Sequence, residues 1–208
     1  MITYASRYYD RLLSALLEHL EIVIITLAIS LVLAAVLTVA CSYSKPLSRV
    51  LLNVLSMIYS VPSLALLALL IPITGLGRRT AVVALVTYNQ YLLLRNFLAG
   101  LDGVDHSIVE AATGMGMTHL QLLWKVQAPL AKKALIAGLR IALVSTVGIA
   151  TIAASINAGG LGTILFDGLR TMNTAKILWG SLLSAVLAVG IDRLLILAER
   201  KTEKTLLL

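Results

Sequence analysis

The 208-residue sequence predicts an all-α, polytopic membrane protein with about five transmembrane helices, and three observations carry that prediction. Hydrophobic residues make up 59% of the chain and charged residues only 13%, against about 25% charged in soluble domains. Mean hydropathy is +0.95. Five runs carry no charge: 22–44, 50–77, 80–94, 141–166 and 177–191. Four of them supply the roughly 17–25 residues that cross a ~30 Å hydrocarbon core, the last when extended to Leu197 with Asp192 and Arg193 on its inner turns. The run 80–94 suffices when extended to Gly100, with Arg95 snorkelling toward an interface. Splitting 50–77 would give a sixth span. No repeat or low-complexity linker divides the chain, so it reads as one domain, 1–208, without a fused second domain.

Residues 1–21 are polar, with Leu12, Leu16 and Leu20 four apart, and read as an interfacial helix lying on the outer leaflet. The span 22–41 has no polar cluster and reads as a peripheral, lipid-facing helix. Cys41, the single cysteine, gives neither a disulfide framework nor a metal site and reads as a packed residue at a membrane end.

The span 50–73 is dotted with Asn53, Ser56, Tyr59, Ser60 and Ser63, and Pro62 removes the hydrogen bond to the Ile58 carbonyl, predicting a kink. Polar atoms beside a mid-membrane break mark a pathway in many transporters, while serines also serve ordinary helix packing. The candidate path residues here are Tyr59, Ser60, Pro62 and Ser63. The third span carries Tyr88, Asn89 and Gln90, whose amides must face protein or water. Three neighbours on a helix spread over about 200°, so they cannot all line one path; Asn89 or Gln90 is the candidate.

Glu110–Pro129 separates two spans. Ala-rich residues 108–113 predict a short helix, broken by Gly114 and Gly116. Thr118 and Gln121 form a T-x-x-Q capping box that restarts it. Pro129 stops regular helix at about Ala128. The product is a helix–turn–helix knob between membrane helices, suited to docking a partner.

The span 134–156 begins near Arg140 and runs through Ser145, Thr146, Gly148, Ala150, Thr151, Ala153, Ala154 and Ser155. Such small residues let backbones approach, marking the bundle centre or a dimer seam. It leads into Asn157 and the glycines Gly159, Gly160 and Gly162, which lack the GKS/GKT ending of a phosphate-binding loop. Asn157 is a further path candidate. The span 177–197 ends in the basic tail 199–204.

The knob resembles the EAA loop of ATP-binding cassette (ABC) importer permeases, E-A-A-x3-G-x9-I-x-L-P. Glu110, Ala111, Ala112, Gly116 and Pro129 stand in register, with Val126 for Ile and Ala128 for Leu. The blocks SVPSLALLALLIP, LRNFLAGL-x-x-VD, EAA-x-GMGM and AGGLGTILF-x-GL, in that order, resemble the glycine betaine/carnitine/choline osmoprotectant subgroup over about 22–200. His106 stands where Pro commonly follows the Asp, and reads as a solvated loop residue.

The resemblance implies a type I permease core whose coupling loop, about 101–133, docks a cytoplasmic ATPase through Glu110, Ala111, Ala112, Gly114, Gly116, Met117, Leu120, Val126 and Pro129. Glu110 and Gly116 would position the knob, with the apolar face of Leu120–Val126 packing beneath it. It further implies two ATPases that bind ATP and Mg, a second permease copy or homologue, an extracellular substrate-binding protein, and a bacterial cytoplasmic membrane. No cofactor or metal is expected in this chain. With the loop in the cytoplasm the N-terminus lies outside and the C-terminus inside. Eleven Lys/Arg then fall inside against six outside, which explains the net charge of +7 by the positive-inside rule rather than by nucleic acid. Arg78 and Arg79 run against this count.

Catalytic signatures are missing from the sequence: no H-E-x-x-H, Walker A, G-x-S-x-G or Cys/His cluster occurs. His19, His106 and His119 fall in polar flanks. Mid-span carboxylates, which ion-coupled carriers use, are missing except for Asp192 near an inner end. The expectation is a permease subunit for a quaternary-ammonium osmoprotectant, and not an enzyme. A permease for methionine or another amino acid is the alternative within the class, and an ATP-independent channel or carrier the alternative outside it.

Overall fold

A computed structural model describes the backbone of residues 2–206 and the side chains of residues 4–197. Among the described residues there are helices and turns and no strand. Helix α1 (Ile2–Arg7) is followed by α2 (Tyr9–Ser42), α3 (Lys45–Tyr59), α4 (Ser63–Thr74) and α5 (Arg78–Asp102). Next come the loop helices α6 (His106–Gly114), α7 (His119–Leu122) and α8 (Ala128–Leu130), then α9 (Lys132–Ala153), α10 (Leu161–Arg170) and α11 (Thr174–Leu206).

Neither Gly nor Pro interrupts residues 9–42, and α2 is a single helix of 34 residues, about 51 Å at 1.5 Å per residue. Residues 9–21 therefore continue the first span outward instead of lying along the leaflet as the sequence suggested. Leu12 and Ala15 hold them by packing on Leu161 and Ile164 of α10. Nor is α2 peripheral. Leu12, Ala15, His19, Ile22, Thr26, Ser30, Ala34, Thr38 and Cys41 form a buried stripe at helical spacing. Arg78 at the head of α5 pairs with Glu21 of α2 at 2.6 Å, which accounts for a cation that the charge count left anomalous.

Pro62 does more than kink its span: α3 and α4 meet at 98°. The Ile58 carbonyl, expected to lose its donor, instead accepts from Val61 N at 3.1 Å. The carbonyl turned out of the chain is that of Val61, and the Tyr88 hydroxyl of α5 donates to it at 2.6 Å. Helices of 15 and 12 residues are about 22 and 18 Å long, so neither crosses ~30 Å alone.

By length and apolarity α2, 132–156 and 174–197 qualify as spans, with the α3–α4 pair as a fourth if it crosses broken. Helix α5, at 25 residues, is long enough but too polar to qualify by composition. Its position explains the polarity. It is packed by α2 and α9, with α3 and α4 against a further side, and twelve of its side chains are buried. Asn89, 1% exposed, donates from Nδ2 to Thr146 Oγ1 of α9 at 2.9 Å and to Ser30 Oγ of α2 at 3.3 Å. Gln90 Nε2 donates to the Ser30 carbonyl at 3.3 Å. The two amides thus join three helices, and α5 shares the centre of the bundle with α9, which packs on α2, α4, α5, α10 and α11.

Helices α9 and α11 are joined by Arg140, whose Nε and Nη2 donate to Asp192 at 2.7 and 3.1 Å. This bidentate pair satisfies the carboxylate that stood alone in its span. A close hairpin joins α10 to α11, with Gly168 against Lys176 and Ile177 and Gly180 against Leu165.

The Asn89–Thr146 bond makes a testable prediction. A double-mutant cycle with Asn89→Leu and Thr146→Val, read by reversible detergent unfolding, should give a coupling of about 0.6 kcal/mol and under ~2 kcal/mol. Zero coupling would contradict the linchpin role.

Candidate coupling and gating site

The knob is built by local hydrogen bonds at each corner. Asp105 begins α6 by accepting from Ser107 N at 2.9 Å and Ser107 Oγ at 2.8 Å. These bonds hold its carboxyl below the ordinary carboxylate range. Glu110 lies one turn on, 3.2 Å from His106 Nδ1, with both side chains open to solvent. Ala111 is exposed while Ala112 is buried, so α6 rests on Ala112 and presents Glu110 outward. Gly114 belongs to the helix, and the break the sequence assigned to both glycines is made by Gly116 alone. Its φ of +82° is a left-handed conformation that costs other residues about 1–2 kcal/mol. Met117 N then turns back to the Ala112 carbonyl at 3.3 Å.

Thr118 Oγ1 accepts from Gln121 N at 3.4 Å and Gln121 Oε1 accepts from Thr118 N at 3.0 Å. The capping box stands as the sequence predicts. The apolar footing differs. Leu122 and Leu123 are buried while Leu120 and Trp124 are exposed and Val126 is half-buried. Leu123 packs with Leu101, Ala131, Val39, Val104 and Leu135, so the knob stands on the C-terminal ends of α2 and α5 and on the start of α9. His119, placed by sequence in a solvated flank, docks on α2: Nε2 lies 2.9 Å from Ser42 Oγ and the ring 4.2 Å from that of Tyr43.

Pro129 does not stop the chain at Ala128. Residues 123–127 form a π-helical turn, in which Ala128 N reaches back five residues to the Leu123 carbonyl. Pro129 then occupies the first turn of α8, where no N–H is required. A nearly continuous helical path therefore runs from the capping box into α9.

At the opposite end of the bundle the glycine segment is gripped by α2. Glu18 Oε2 accepts from Gly160 N at 3.0 Å and His19 Nδ1 accepts from Leu161 N at 3.3 Å. A carboxylate and an imidazole thus already occupy amides at the start of α10 that a phosphate would need. Asn157, exposed, and Gly160 take positive φ values of +65° and +79°. A Cβ on Gly160 would lie 2.8 Å from His19 Nδ1, and one on Gly162 would collide with the Thr151 carbonyl. Sequence reading missed Glu18 and His19 because they precede the apolar run. The 3–4 spacing of the α2 stripe, unbroken across residues 12–41, was the available signal.

The path candidates divide. Tyr59, Ser60 and Pro62 are exposed at the α3–α4 break, and Ser63 is half-buried. Asn89 and Gln90 are buried between helices.

Residues 27–204 match the family described as binding-protein-dependent transport system inner membrane component. The chain is 35% identical over 184 residues to the choline transport system permease protein OpuBB of Bacillus subtilis, covering 88% of this chain and 85% of that one. It is 34% identical over 201 residues to the glycine betaine/carnitine/choline transport system permease protein OpuCB of the same organism, covering 97% and 93%. Among solved structures, an inward-facing form of the MetNI methionine ABC transporter superposes with a TM-score of 0.81 at 23% identity, over 93% of this chain and 95% of that one. That likeness speaks to fold alone.

Thr118→Ala should destabilise the second half of the knob by about 1 kcal/mol. Amide exchange of residues 119–123 should quicken several-fold while α6 keeps its protection. Equal exchange in both proteins would show that the box does not hold the turn.

Proposed function

The chain belongs to the family of binding-protein-dependent transport system inner membrane components, and we propose that it is the permease subunit of an ABC importer for a quaternary-ammonium osmoprotectant. The relatives named for choline, glycine betaine and carnitine support that substrate class. The observation that carries the coupling role is the knob. It presents Glu110 to solvent, stands on Leu122 and Leu123, and continues through the π turn into α9.

In this reading the knob faces the cytoplasm and seats in a groove of an ATPase subunit, placing the N-terminus outside. Two permease copies, identical or homologous, pair with two ATPases, which hold ATP and Mg and carry out hydrolysis. Closure of the ATPase pair draws the knobs together. Ala111, Gly114 and Gly116 keep the knob's outer surface low, Met117 closes its turn, and Leu122 and Leu123 pass the displacement to the ends of α2, α5 and α9. The π turn before Pro129 is the compliant joint, since a widened helical turn has one residue to lose or gain. Helix α9 then tilts against α5, and the α3–α4 break opens outward to take substrate from an extracellular binding protein. Hydrolysis reverses the motion. The path runs by the break, past Ser60 and Ser63, with Asn157 near the outer end, while Asn89 and Gln90 hold the helices that move.

Glu110→Lys should lower substrate uptake at least tenfold and weaken co-purification with the ATPase, because it reverses the charge at an exposed corner of the knob. Glu110→Gln should retain part of both. Unaltered docking and uptake in Glu110→Lys would overturn the coupling assignment.

A further inference from the structure

We propose that Tyr59, at the α3–α4 break, is a transient station for the trimethylammonium group of the substrate inside the membrane, and that Arg95 receives a carboxylate when the substrate carries one. The proposal rests on the osmoprotectant reading above and adds the side chains that recognise the cargo in transit.

Three tyrosines converge at the break. The Tyr59 ring lies 5.6 Å from that of Tyr88, edge to face at 89°, and 5.0 Å from that of Tyr91. Tyr88 is buried and fixed by its bond to the Val61 carbonyl, so it holds the break and orients its neighbour. Tyr59 remains 36% exposed. Tyr59 stands about 21 Å along α3 from Lys45, and Tyr88 about 15 Å along α5 from Arg78, so each ring is more than two turns from the charged residue that begins its helix.

The face that bears Tyr59 has a polar end. Arg95, one turn beyond Tyr91 on α5, is exposed. Its guanidinium stacks 5.8 Å from the Tyr91 ring, and Nη1 donates to the Tyr91 hydroxyl at 3.0 Å. About 26 Å along α5 from Arg78, Arg95 snorkels toward the far interface, so the polar end of this face meets water or headgroups. On α3 the residues Arg49, Asn53, Ser56 and Ser60 follow at helical spacing toward the same break. A polar stripe thus leads from one end of the bundle to a cluster of aromatic rings.

Ring chemistry then selects the ligand. A quaternary ammonium has no N–H to donate and is held by the negative face of an aromatic ring, within about 6 Å of its centroid. One exposed ring gives brief binding rather than a cage, as a conduit requires. Beside it, Arg95 uses one of five donors on Tyr91. Its remaining donors suit a carboxylate, which glycine betaine and carnitine carry and choline lacks. The same positive charge disfavours a lone cation, so the cluster separates zwitterions from choline by rate.

The test is uptake by the whole importer, permease with its ATPase and binding protein, in proteoliposomes, using radiolabelled glycine betaine and choline. Co-purification of each variant with the ATPase reports folding. Tyr59→Leu should cut the saturated uptake rate of both compounds at least tenfold, while Tyr59→Phe, which keeps the ring face, stays within about threefold. Arg95→Gln should slow glycine betaine at least fivefold and choline much less. Wild-type rates in Tyr59→Leu, or an equal loss in Tyr59→Phe, would overturn the station. Equal slowing of both compounds by Arg95→Gln would overturn the carboxylate role, and this arm decides if Tyr59→Leu does not assemble. A wild-type importer that carries neither compound would instead overturn the substrate reading, and the station with it.

Discussion

Asn89 hydrogen-bonds to two of the neighbours of α5, Thr146 on α9 and Ser30 on α2, and the arrangement of these three helices follows from that need. An amide exposed to hydrocarbon would be left unsatisfied, so α5 must be wrapped by helices that offer partners. Helix α2 offers Ser30 within its buried stripe, and α9 offers Thr146, itself bonded to the Ala142 carbonyl. Once these three helices are fixed, the remaining elements have defined places. The broken span α3–α4 lies against the open side of α5, held by Tyr88, and α11 closes on α9 through Arg140 and Asp192.

Knob and glycine segment are the two ends of this arrangement, and both are anchored on α2. His119 rests on Ser42 and Tyr43 at one end, while Glu18 and His19 hold Gly160 and Leu161 at the other. A displacement at the knob therefore has two routes inward, through the π turn into α9 and through His119 to α2. The bonds along α2 are local and directional. At the knob, the hydrogen bond between His119 and Ser42 stands beside the apolar packing of Leu123.

Much of this was legible in the sequence. The capping box at Thr118 and Gln121 depends on local chemistry, and the structure shows it. The break at Pro62 was visible, but its 98° angle was not, because the angle depends on Tyr88 capturing the Val61 carbonyl from 27 residues away. Pro129 misled for a related reason: helix-stopping rules assume α geometry, and a π turn removes the conflict. Asn89 and Gln90 looked like path residues because polarity inside a span signals either a path or a junction. Burial decides between them, and burial comes from tertiary packing. His19 reads as a polar-flank residue because it lies outside the apolar run, although the buried stripe of α2 passes through position 19.

Whether the knob carries the energy of ATP hydrolysis to a quaternary-ammonium cargo is tested most directly by uptake of radiolabelled glycine betaine. The importer would be reconstituted with its ATPase and binding protein, once intact and once with the Walker-A lysine of the ATPase replaced. The account predicts uptake by the intact importer and its loss, to the level of protein-free vesicles, with the inactive ATPase. Uptake that proceeds equally in both would contradict it, and would make the chain a carrier whose knob serves some other contact.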